Sequence, residues 1–128
     1  MIKFTIPLAP ISKKNSQQIL INQATGKPFI MPSKKFKQYE TAALWFIPKG
    51  ITIDTACNVK CLFYMPTRRK CDLTNLLESI DDIMVKAGFL VDDDYTIIQS
   101  HDGSRVYHDK AKPRTEICIT KAETAETK

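Results

Sequence analysis

Ile2, Phe4 and Ile6 alternate with Lys3 and Thr5, and this period of two predicts a strand over residues 2–6 that Pro7 and Pro10 end. The runs QQILI and KPFIM then flank NQATG, which predicts a loose hairpin or basic arm over residues 12–32. Ser33 suits the N-cap of a helix over about residues 34–47. Phe36, Tyr39, Ala43, Leu44 and Ile47 give it one apolar stripe, and Pro48 and Gly50 stop it. In residues 56–65, ACNVKCLFYM, the alternation puts Val59, Cys61, Phe63 and Met65 on one face of a second strand, closed by Pro66. Leu76, Ile80, Ile83, Met84 and Ala87 make a helical stripe over about residues 73–87, and Gly88 fits its left-handed C-cap. Residues 95–101 are rich in β-branched side chains and predict a strand. Asp102-Gly103 is then either a tight hairpin turn or a bulge in a longer strand reaching Tyr107. Thr115, Ile117 and Ile119 mark a last strand over residues 114–120.

The order β–(hairpin)–α–β–α–β–β is that of an α/β (α+β) chain: a small mixed sheet of about four strands with two helices. Two helices cover one face of such a sheet, so the other is open or buried in a dimer. The 128 residues read as one domain over 1–120 with a polar tail over 121–128. No apolar run approaches the ~18 residues that span a bilayer, and the first residues lack the long apolar segment of a signal peptide. The expected location is the cytoplasm, with no membrane partner. Cys57, Cys61, Cys71 and Cys118 are then expected as reduced thiols. Three residues separate Cys57 from Cys61, and His101 and His108 are not at finger spacing, so zinc is not the expected metal.

Charge changes the picture. The chain has 19 Lys and Arg against 14 Asp and Glu, and a clustered basic excess points to an anionic partner, most often nucleic acid. Yet residues 71–94, CDLTNLLESIDDIMVKAGFLVDDD, hold 7 of the 14 acids and one base, Lys86. Thr74, Glu78, Asp82 and Lys86 are each four apart and share one helix face, with Asp72 at its N-terminal end and Asp81 nearby. Asp92, Asp93 and Asp94 form a second acidic group. If tertiary folding brings the groups together, each close pair repels by about 4 kcal/mol at an effective dielectric near 20. Such a cluster calls for a cation, and hard carboxylate oxygens suit Mg²⁺ or Mn²⁺. Arg68, Arg69 and Lys70 precede the cluster, and Arg105 follows it. Lys13, Lys14, Asn15 and Lys27 lie in the arm, and Lys34, Lys35 and Lys37 crowd the first turn of the first helix. An acidic metal site with a basic rim is what phosphodiester cleavage needs. The alternative is a solvated acidic helix face followed by a polar loop.

Residues 65–94, MPTRRKCDLTNLLESIDDIMVKAGFLVDDD, resemble the core of the RusA family of Holliday-junction resolvases. The shared pattern is Met-Pro with a basic run, Asp-Leu-Asp-Asn-Leu, a helix carrying Asp, then Ala-Gly and Asp-Asp. The N-terminal strand with its prolines and the closing Pro-Arg-x-Glu-Ile-x-Ile are similar as well. The resemblance implies a small α/β homodimer, often encoded by phages or prophages, that binds four-way DNA junctions in recombination and repair and cuts symmetric strands with Mg²⁺ or Mn²⁺. It places the metal carboxylates on Asp72, the Thr74 position and Asp93, and matches Asp82 to a further helix acid. Two positions depart: the second Asp of the motif is Thr74, and the family's catalytic lysine is Glu78, while Asn75 is kept. A rearranged site follows, in which Asp72, Glu78 and Asp93 act, with Asp92 and Asp94 the near rivals of Asp93, Asp82 adds a metal carboxylate, and Lys86 or Lys70 replaces the missing positive charge. A junction-binding relative without activity and a nuclease for another branched DNA are the alternatives.

Overall fold

The computed structural model describes residues 1–14 and 17–122; Asn15 and the residues 123–128 of the tail lie outside that range. The elements run β1 (Ile2–Ile6), β2 (Gln17–Ile21), β3 (Pro28–Pro32), α1 (Lys34–Ala43), β4 (Cys57–Met65), α2 (Leu73–Lys86), β5 (Ile98–Ser100), β6 (Arg105–His108) and β7 (Arg114–Lys121). A 3₁₀ turn over Leu44–Phe46 extends α1 and seats Ile47 in the core. The mixed sheet has five strands. β7 pairs antiparallel with β1 on one side and β4 on the other, and both β5 and β6 run parallel to β4 along its free edge. Among the described residues, β2 and β3 pair only with each other, as a separate ribbon.

The fifth strand resolves the choice at Asp102-Gly103. A hairpin turn would reverse the chain, whereas β5 beside Cys57 and β6 beside Leu62–Met65 keep one direction. The interruption is therefore a bulge in one broken strand. Asn58 fills the gap: its Oδ1 accepts from the Asp102 N–H at 2.7 Å and from the Ser100 hydroxyl at 2.6 Å. Gly103 takes φ 87° with the Lys60 stem 3.2 Å from where a Cβ would stand.

The predicted strand over 95–101 is shorter than its composition suggests. Asp94 accepts hydrogen bonds from both the N–H and the hydroxyl of Thr96, and its carbonyl accepts from Ile97 and Ile98. That turn consumes the backbone groups a longer strand would need.

α1 and α2 cover one face of the sheet. Phe36, Tyr39 and Ala43 from α1 and Leu76, Ile80, Ile83 and Met84 from α2 are buried in one core with Ile6, Val59, Cys61, Phe63 and Ile117. Leu44 and Ala87, at the ends of the predicted stripes, are only half-buried. Gly88, at φ 76°, ends α2 in the left-handed region the sequence anticipates. Among the described residues, no helix lies on the opposite face. Lys3, Thr5, Lys60, Leu62 and Cys118 line a groove there of about 450 Å³. Beside it Arg114 lies 3.7 Å over the Tyr64 ring, which stacks on Tyr107. No described helix is long and apolar enough to cross a membrane.

Candidate active site

The site begins where β4 gives way to α2. Pro66 ends pairing, the exposed Thr67–Lys70 segment turns the chain, and Asp72 takes the N-cap position of α2 with extended backbone, φ −93° and ψ 125°. An Asp at an N-cap normally accepts from the free amides of the first turn. Asp72 makes no such bond. Its Oδ2 accepts instead from the Asn75 side-chain amide at 3.1 Å. The carboxylate is thus exposed and steered, at the positive end of the helix dipole.

Asn75 is held in turn. Its carbonyl accepts from the buried Ser79 hydroxyl at 2.9 Å, and Ser79 Oγ accepts the Lys13 backbone N–H at 2.8 Å. One chain of hydrogen bonds therefore runs from the root of the arm to Asp72. Beside it, Lys35, Arg69 and Lys70 line a groove of about 300 Å³ with Ser12, Met65 and Leu76. The predicted basic residues Lys35, Arg69 and Lys70 converge here, while Lys34, Lys37 and Arg68 are exposed nearby in chain order. Lys14, Lys27 and Arg105 are exposed and Lys13 half-buried. Lys86 is committed elsewhere: its Nζ lies 3.0 Å from both Glu40 oxygens, tying α2 to α1. That leaves Lys70, two residues before Asp72 in the groove loop, as the cation closer to the site.

The acids do not form one cluster. Thr74 and Glu78 are exposed and Asp82 half-buried on the outer side of α2. Asp81, which a solvated helix face would expose, is only 6% exposed. It points towards the sheet, where His101 Nε2 meets its Oδ2 at 2.8 Å; Oδ1 has no hydrogen-bond partner. Burial pushes the Asp81 carboxyl up, His101 pulls it down, and the charges of Asp93 and Asp82 add to the rise. Of the three consecutive aspartates, Asp92 accepts the Asp93 N–H, and Asp94 is held below the usual carboxylate range by the Thr96 hydroxyl and then its N–H. Asp93 is exposed, and among the described residues its carboxylate accepts no hydrogen bond.

Asp72 opens α2 after the Met65 end of β4, whereas Asp93 precedes β5, and its charge acts on Asp81 in the middle of α2. Among the described residues, no three acidic, His or Cys side chains gather into a group that could hold a metal ion. The donor chemistry of Asp72, Glu78, Asp82 and Asp93 suits a hard divalent cation.

Sequence reasoning missed Ser79 and His101, and it placed Asp81 among the acids of the outer face. Asp81 had a signal: Leu77 and Met84, four before and three after it, are both buried, so it falls on the inner face.

A carboxylate exposed at a helix start, beside a groove of lysines and arginine, is the surface of a protein that handles phosphodiesters. The chain matches the family described as Endodeoxyribonuclease RusA over residues 7–120, and it belongs to that family. It is 31% identical over 108 residues to a protein of Aquifex aeolicus (strain VF5) named Crossover junction endodeoxyribonuclease RusA, covering 82% of this chain and 81% of that one.

Proposed function

We propose that this protein is a structure-specific endodeoxyribonuclease that resolves four-way DNA junctions, acting as a homodimer with Mg²⁺ or Mn²⁺. The observation that carries the proposal is the exposed Asp72, turned from its capping role by Asn75 and set beside the basic groove. Family membership and the name of the Aquifex relative support the substrate. In this reading Lys35, Arg69 and Lys70 grip backbone phosphates, Asn75 orients Asp72, and Asp72 and Asp93 are the metal carboxylates, with Glu78 and Asp82 as further acids.

In this reading the dimer is part of the mechanism: a site using both aspartates takes Asp72 from one copy and Asp93 from its partner. Two such sites would face the two strands of a junction.

Mixing variants tests this. Asp72→Asn and Asp93→Asn, each alone, bind a four-way junction but do not cut it. Mixed and allowed to exchange subunits, they regain cleavage, because one shared site in each mixed dimer has both aspartates. A mixture as inactive as either variant contradicts the shared site.

A further inference from the structure

The β2–β3 ribbon carries a surface that the site does not use. Ile19 faces Ile30 across it, and Ile21 faces Pro28, so these four share one face. Ile19, Ile21 and Ile30 are 72%, 66% and 64% exposed. The other face, with Leu20 and Phe29, is better covered. The tip is tied down: Asn22 Oδ1 accepts from the N–H groups of Ala24 and Thr25, and Gly26, at φ 69°, closes the turn. A firmly closed ribbon with one bare apolar face is built to press that face against something.

Its surroundings select the partner. The first 39 residues contain seven lysines and not one Asp or Glu. The ribbon leaves the fold just after Lys13 and Lys14 and returns at Ser33, immediately before Lys34 and Lys35. Lys35 lines the groove with Arg69 and Lys70. A polyanion drawn to that root, as the nucleic acid of the proposed function is, lies alongside the ribbon. The apolar surface that DNA offers is the faces of its bases, and these are accessible where stacking is interrupted. Isoleucine is among the side chains that wedge between base steps. Five residues per strand reach about 17 Å from the root, far enough to pass from a phosphate to a crossover.

We propose that the ribbon is a wedge that inserts Ile19 and Ile30 between base pairs at the exchange point of the bound junction, a step that rests on the junction-resolving reading above.

The test uses a four-way junction with 2-aminopurine at the exchange point, whose fluorescence rises when the base unstacks. The full-length protein is expected to raise it. Ile19→Ser with Ile30→Ser is expected to bind the junction and lose that rise. Both residues are exposed, so the melting temperature should hold; Ile30→Ser alone is the second variant, expected to lose part of the rise. A double variant that binds and gives the full rise overturns the wedge. So does a double variant that sediments as a smaller species with the rise intact, which would make the ribbon a subunit contact. A wild-type protein that does not bind the junction overturns the junction reading itself, and the wedge with it; binding by the wild type without a rise overturns only the wedge.

Discussion

Replacing Lys35, Arg69 and Lys70 together by Ala tests whether the groove beside Asp72 holds DNA. These three cations line one cavity of about 300 Å³ and come from α1 and the β4–α2 loop, so a phosphate backbone lying there meets all three. Each phosphate contact contributes about 0.9 to the slope of log affinity against log salt, so losing three lowers the slope by about 2.7. Between 50 and 200 mM salt, a ~0.6 change in log concentration, the wild type then loses roughly 40-fold more affinity than the variant. The assay is a junction-binding titration by fluorescence anisotropy across that range, without divalent metal to prevent cutting. Lys121→Ala is the control: it is exposed and paired with Cys57, at the opposite end of β4. Its slope should stay at the wild-type value. A triple variant whose slope falls by less than one contact, about 0.9, refutes the groove as the DNA-binding surface.

Ser79→Ala removes the acceptor of the Lys13 N–H and the donor to the Asn75 carbonyl, and should destabilise the protein by about 1–3 kcal/mol in urea unfolding. Asp81 gives a pH prediction. Its carboxyl is raised in the folded state, so the fold binds that proton more tightly than the unfolded chain. Stability is therefore higher in acid and falls as pH rises from the ordinary value of 3.8 through the elevated one. Asp81→Asn should remove this decline and gain on the wild type from acid to neutral pH; parallel pH curves for the two proteins would contradict it. Asp81→Leu combined with His101→Leu should leave the thermal unfolding temperature unchanged or raise it, because the buried Asp81 carboxyl with its unpartnered Oδ1 is exchanged for apolar packing and His101 is not left facing an empty site.

Periodic segments were legible from sequence. β1, β4 and α2 follow their alternating or helical stripes to within a residue, because one face of each packs on the same core. What depends on distant partners was not. β5 is short because Asp94 captures Thr96, and β6 exists because Asn58, more than forty residues earlier, bridges the break at Asp102. The acidic stretch was legible as a feature but not as geometry. His101, twenty residues after Asp81, meets that acid in a buried contact that the spacing along the chain does not announce. Lys86 was on the expected face, yet Glu40 on another helix takes its charge. The steering of Asp72 was half visible: the Asn75 spacing is in the sequence, but the Ser79–Lys13 support is a tertiary contact.

The central claim is metal-dependent cutting of a branched substrate, and a labelled four-way junction incubated with Mg²⁺, Mn²⁺ or EDTA tests it most directly. The account predicts paired, symmetric nicks near the crossover with either metal, none with EDTA, and none on linear duplex of the same sequence. Junction binding without any metal-dependent product, or equal cutting of the duplex, would contradict it.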